Sequence, residues 1–263
     1  MRILFIGDVM GKAGRRILRD YLHSVKQEYR PDLTIANGEN LAGGLGATPD
    51  LIREIMGYGV QIVTMGNHTW RRSELITGID SLDNVVRPAN YPPDSPGAES
   101  VIYNVAGGKR AAVFNLVGRV FMDNNDCPFR AGLKLSTQLK TQTPVVILDM
   151  HAEATSEKMA MGWYLDGKVS AVLGSHTHVQ TADERILPQG TAYITDIGMT
   201  GPHDGIIGMK AEQVLTRFAT GLPSRFEVAE KNLHLHGVMV EVDEGTGRAV
   251  GIERISRAFT QPE

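Results

Sequence analysis

Cysteine occurs once in 263 residues, at Cys127, which excludes an intrachain disulfide and a thiolate metal cluster. A basic excess is missing too. The 27 Lys and Arg stand against 30 Asp and Glu, and the net charge of -3 argues against broad binding along a nucleic-acid backbone, though not against a small phosphorylated ligand. Long apolar runs are absent. The first run stops at Asp8, too soon for a signal peptide, and none reaches the roughly 20 residues of a membrane-spanning helix. No linker, repeat or low-complexity tract divides the chain. It reads as one domain, residues 1–263, cytoplasmic and without membrane contact. The 42% of hydrophobic residues are enough for its core.

Those residues fall in short blocks. Arg2–Gly7, Asp32–Ala36 and Val60–Met65 read as buried strands. Between the first two, Ala13, Ile17, Leu18, Tyr21, Leu22, Val25 and Tyr29 recur at helical spacing over Lys12–Tyr29. Thr48 and Pro49 have the character of an N-cap and first helical residue, for a helix reaching about Tyr58. Trp70–Thr77 reads as another helix. This βαβαβ start predicts parallel strands with right-handed crossovers. A Pro-rich loop, Asn90–Gly97, follows. Val101–Val105 and Ala111–Val117 flank Gly107-Gly108 as a hairpin. Asp123–Pro128 reads as polar loop. Val145–Met150 and Val169–Leu173 read as strands around a helix near Ser156–Leu165. Thr191–Ile197 reads as a strand, Lys210–Thr220 as a helix, and His236–Val242 with Arg248–Ile255 as a terminal hairpin. These strands outnumber what one doubly wound sheet holds, and two stacked sheets with helices outside accommodate them.

Polar residues collect just past the strands. Asp8 ends the first run, Gly38-Glu39-Asn40 follows the second, and Gly66-Asn67-His68 follows the third. His151 follows Val145–Met150, and Gly174-Ser175-His176-Thr177-His178 follows Val169–Leu173. Ligands in α/β folds bind outside the carboxyl ends of strands. In an extended backbone, His176 and His178 would point to one side, where they can bind one metal or one each of two. Asn67 and His68 are adjacent and diverge, so one can bind metal while the other faces the cleft. Glu39 has two oxygens and can bridge. Taken singly, each has an ordinary reading: a capping Asn, a solvated acid, a buried hydrogen-bonded His. Gly7–Gly14 only faintly resembles a phosphate loop; it is one residue short, and Ala13 stands where Ser or Thr would hold magnesium. Arg15-Arg16 and Arg71-Arg72 read as solvated helix faces, and Thr195–Gly208, with His203 and Asp204, as a strand-to-helix loop rather than a substrate border.

In order and spacing, Asp8, Gly38-Glu39-Asn40, Gly66-Asn67-His68, His151 and Gly174–His178 resemble the calcineurin-like metallophosphoesterases. Met1–Gly14, Ala36–Gly46, Asp149–Lys158 and Asp196–Gly208 resemble the signature stretches of the YmdB-like branch. The resemblance implies a four-layer α-β-β-α sandwich with mixed sheets and a binuclear centre. One metal would be held by Asp8, Glu39, Asn40 and His178, the other by Glu39, Asn67, His151 and His176, with His68 as general acid. Three positions depart from the wider superfamily. Met10 replaces a histidine, Glu39 replaces the bridging aspartate, and Thr69 stands where many relatives have an acid beside the histidine. The first metal is then poorer in nitrogen ligands, and graded chelation is expected to remove it first; equal loss of both would count against this.

The resemblance further implies hydrolysis of 2′,3′-cyclic nucleotides, and favours iron or manganese, with zinc as the alternative. Two divalent ions bring about four positive charges; Asp8, Glu39 and a metal-bridging hydroxide remove three. The remaining charge of about one suits a singly charged phosphodiester. The alternatives are a phosphomonoesterase on the same centre and a nucleotide-sensing, RNA-associated regulator with slight activity. A homo-oligomer is expected, with the terminal hairpin and the Pro-rich loop as its candidate interface.

Overall fold

A computed structural model of the chain describes residues 1–259; the last four of the expected domain lie outside the described residues. The short apolar runs form two sheets. The first has the order Asp8–Val9, Met199–Pro202, Leu233–Val242, Arg2–Ile6, Leu33–Asn37, Ile62–Thr64, Val85–Val86, with Ala249–Phe259 paired along Leu233–Val242. The second has the order Arg185–Ile186, Ala192–Ile194, Ala171–Ser175, Val146–His151, Lys109–Val117, Ser100–Val105. Arg2–Ile6, Leu33–Asn37 and Ile62–Thr64 run parallel, as do Lys109–Val117, Val146–His151 and Ala171–Ser175. Parallel pairing collects the carboxyl ends of each set at one rim.

Successive strand residues face opposite sides, so each strand contributes to two interiors. Ile3, Phe5, Leu33 and Ile35 meet Val113, Ile147 and Leu173 between the sheets. On the outer side Leu4, Ile6 and Val63 pack on Ile17, Leu18 and Leu22 of helix Gly11–Tyr29 and on Ile52 and Ile55 of helix Pro49–Gly57. Phe114, Leu116 and Leu148 pack on Leu135 and Leu139 of helix Pro128–Lys140 and on Met161 of helix Thr155–Tyr164. The result is the four-layer α-β-β-α sandwich with mixed sheets. No helix among the described residues is long and apolar enough to cross a membrane.

The local signals explain the helix starts. The Thr48 side chain accepts from Leu51 N, and Pro49 occupies the first helical position. The terminal hairpin forms with longer strands than expected, and its ladder shifts register between Glu241 and Val242. Elsewhere the structure corrects the reading. Trp70–Thr77 is not one helix: a 3-10 turn, Thr69–Arg71, is separated from helix Ser73–Gly78 by Arg72, which is extended at φ -123° and ψ 122°. The helix Pro128–Lys140 was not anticipated. Thr195–Gly208 is not a plain loop, because Met199–Pro202 pairs with Asp8–Val9 and with Leu233–Val242. Arg15 and Arg72 are not solvated: Arg15 donates to Leu41 O, and Arg72 to Ala42 O and Leu45 O. Together they pin the glycine-rich loop that follows Asn40.

Candidate metal centre

Asp8, Glu39, Asn40 and His151 are buried at the carboxyl ends of strands from both sheets. The ligand atoms of Glu39, His151 and His176 lie within 4.8 Å of one another, a cluster able to hold a metal ion. His151 Nε2 is 2.9 Å from Asn67 Oδ1, 3.1 Å from His176 Nδ1 and 3.3 Å from Glu39 Oε2. A second group lies beside the first. His178 Nε2 is 3.2 Å from Asp8 Oδ2 and 3.2 Å from the Asn40 amide, which is in turn 3.2 Å from Glu39 Oε1. Glu39 therefore contributes one oxygen to each group.

The backbone reaches this arrangement by unusual means. His176 and His178 have φ of 100° and 66°, the left-handed region that side chains rarely adopt. The segment is not extended, contrary to the simple spacing argument. The two rings diverge, His176 to His151 and His178 to Asp8. Asp196 holds the turn by accepting from Thr177 N at 3.0 Å and Thr177 Oγ1 at 2.7 Å, and it is itself paired with buried Lys158 at 2.7 Å. Gly66 is glycine for space: a Cβ there would lie 2.4 Å from Glu39 Oε2 and 2.5 Å from His151 Nε2.

Hydrogen bonds behind the rings fix which nitrogen faces inward. Ser175 donates to Asp149 Oδ1 at 2.6 Å and so can only accept from His151 Nδ1, 2.8 Å away. His178 Nδ1 is 3.0 Å from Ile207 O, a carbonyl that can only accept. His176 Nε2 is 3.2 Å from the Glu153 carboxylate. Each ring thus spends one N–H outward, so His151 Nε2, His176 Nδ1 and His178 Nε2 face the group and offer it a lone pair when a cation takes the place of a proton there. His68 is the opposite case. Its Nδ1 meets two acceptors, Asn40 Oδ1 at 2.8 Å and Glu39 Oε1 at 3.1 Å, and points a proton toward the group. Thr69 has no part in this; it donates to Gly66 O. Ser175, Asp149, Glu153 and Ile207 were not read from the sequence. Each lies in a stretch already singled out, Ser175 between Gly174 and His176, Asp149 and Glu153 in Asp149–Lys158, and Ile207 in Asp196–Gly208, but none was given a role there.

Electrostatics shows what the site demands. Burial disfavours a charged His151, but the charge and hydrogen bond of Glu39 outweigh it and lift His151 to about 9. Burial likewise opposes charge on His178, and its contact with Asp8 outweighs this and raises it. Burial would raise Glu39, yet His151 and His68 hold it well below the usual carboxylate range. Burial and the adjacent His151 push His176 down to about 3. Two buried carboxylates thus draw positive charge inward, and a divalent cation answers the same demand. The donor set fits one: three inward lone pairs, two carboxylates, and a buried Asp8 Oδ1 with no hydrogen-bond partner. Asn40 is the exception. Its amide nitrogen, not its oxygen, faces Glu39 and His178, so ligation requires the amide reversed, and His68 Nδ1–H then keeps Glu39 Oε1 as its acceptor.

A two-sheet α/β sandwich with histidine, carboxylate and amide donors converging at its strand ends is an α/β fold with a candidate metal site. The YmdB-like protein family profile matches residues 4–255, and the chain belongs to that family. It is 52% identical over 255 residues, 97% of this chain and 96% of the other, to the 2′,3′-cyclic-nucleotide 2′-phosphodiesterase of Bacillus subtilis (strain 168). Its structure is similar to that of a hypothetical protein from Thermus thermophilus, with TM-score 0.91 and 44% identity over 98% of this chain and 99% of that one. It is also similar to a novel phosphatase from Mycoplasma pneumoniae, with TM-score 0.92 and 36% identity over 98% and 93% of the two chains.

Proposed function

We propose that this chain is a binuclear-metal phosphodiesterase that hydrolyses 2′,3′-cyclic nucleotides. The observation that carries the reading is the pair of donor groups sharing Glu39, with three histidines held as inward lone pairs. The 52% identical relative supports the substrate class. Asp8, Glu39, Asn40 and His178 would hold one ion; Glu39, Asn67, His151 and His176 would hold the other. Iron or manganese suits these imidazole and oxygen donors, with zinc as the alternative. Such a pair supplies an activated water at neutral pH and positive charge for the phosphoryl oxygens.

The chain's own contribution lies in orientation and proton supply. The His68 backbone N donates to Glu39 Oε2 at 2.9 Å, fixing the loop against the donor set. The His68 side chain is 22% exposed, whereas Asp8, Glu39 and His151 are at most 1% exposed, so His68 reaches the cleft and the others face inward. When the bond from phosphorus to O2′ breaks, the departing ribose oxygen is a poor leaving group and takes a proton from His68. The product is a 3′-monophosphate.

The test is metal content together with hydrolysis of 2′,3′-cyclic AMP by wild type and His68→Ala. The expected outcome is about two metals per chain in both proteins and turnover lowered roughly 100-fold or more in the variant. Loss of metal along with activity would make His68 a ligand or a structural residue instead. Metal-loaded wild type that cleaves monoesters and leaves diesters intact would favour the phosphomonoesterase reading.

A further inference from the structure

Beside the donor set lies a cavity of 520 Å³ whose lining includes Asn67, Trp70, Arg71, Tyr91, Asp123 and Asn125. Asn67 belongs to both, with its Oδ1 2.9 Å from His151 Nε2. The volume lies in the range of roughly 300–1,000 Å³ typical of small-molecule sites. Two aromatic rings form part of one wall: Trp70 and Tyr91 have centroids 6.1 Å apart and planes inclined at 37°. Tyr91 is fixed there by its hydroxyl, which donates to Gly66 O at 3.0 Å. Asp123 and Asn125 come from the loop after strand Lys109–Val117. They offer an acceptor and an amide, and exposed Arg71 offers a guanidinium that forms no ion pair with any described residue.

We propose that this cavity is the nucleobase subsite: the base attached to the reacting phosphate stacks on Trp70, and Asp123 and Asn125 meet its polar edge. The proposal rests on the phosphodiesterase reading of the neighbouring centre. It adds that the enzyme selects diesters bearing a base over diesters in general, and it names the side chains that do so. Stacking on an aromatic face tolerates any base, while carboxylate and amide groups at the rim distinguish base edges.

Two readouts separate this proposal from the activity it rests on. The first is binding. The chain has two tryptophans, and Trp163 lies 53% exposed on helix Thr155–Tyr164, so Trp163→Phe leaves Trp70 as the sole indole. Titration of that protein with 3′-AMP should quench its emission saturably, and inorganic phosphate should not. The second is selectivity. The ratio of kcat/KM for 2′,3′-cyclic AMP to that for bis(p-nitrophenyl) phosphate should fall about tenfold in Trp70→Ala. Trp70 also packs on the core, so Asn125→Ala, on the facing loop, is the second variant, with a smaller fall expected. Quenching by 3′-AMP no greater than by phosphate, or a selectivity ratio unmoved in both variants, would overturn the subsite. Saturable quenching in a protein that cleaves neither diester would support the subsite and sink the phosphodiesterase reading.

Discussion

Each histidine of the donor set is useful only in one tautomer, and the choice is made by a residue that touches no ligand position. Ser175 does this for His151: because its hydroxyl proton goes to Asp149, the ring must donate from Nδ1. Ser175→Ala removes that acceptor and frees the ring. Metal affinity should fall about 10–100-fold, read by competition with a chelator, with the fold retained by circular dichroism. Unchanged affinity would mean that packing alone holds the ring. At this scale much of the site is legible in the sequence, since Asp8, Glu39, Asn67, His151, His176 and His178 each follow a strand and the structure brings them together. The supporting residues are not legible. Ser175 and Asp149 look like any strand-end polar residues until the fold places them 2.6 Å apart.

Among the elements, the turn His176–His178 is held in its left-handed conformation by Asp196, which also takes the charge of Lys158. Lys158 is 1% exposed and Asp196 fully buried. Asp196→Ala would leave an uncompensated buried ammonium and release the turn. The expected cost is about 3–5 kcal/mol in urea unfolding, accompanied by weaker metal binding. A loss below about 1 kcal/mol would show that the turn stands without it. The longer strands were readable as apolar runs, whereas the short strands Asp8–Val9, Val85–Val86, Arg185–Ile186 and Met199–Pro202 were not, being too brief or too polar to stand out. Helix Pro128–Lys140 was not, because Gly132 and Ser136 share its buried face with Leu135 and Leu139 and blur the apolar stripe. The positive φ values at His176 and His178 have no local cause a sequence could display, because contacts from Asp196 and Asp8 impose them.

For the molecule as a whole, a second histidine group matters to pH stability. His203, His234 and His236 cluster with ring centroids 4.5, 4.6 and 5.8 Å apart, their planes tilted or edge-on to one another. Burial, reinforced by charge on His203 and His234, lowers His236 to about 4 from its ordinary 6.5. The folded protein therefore keeps His236 neutral while the unfolded chain takes up a proton. Stability present above pH 6.5 is lost as the pH falls toward 4. The melting temperature of wild type should drop more between pH 7 and pH 5 than that of His236→Gln, and parallel curves would remove His236 as the cause. The pairing of Arg2–Ile6 with Leu233–Val242 has a consequence in time. The strand leading to Asp8 is made long before Leu233–Val242, its neighbour in the sheet. His178 follows Asp8 by 170 residues of synthesis. Contacts this distant in sequence close late in folding. The donor set therefore cannot close before His178 has been made, and a metal held by it would be captured no earlier than that.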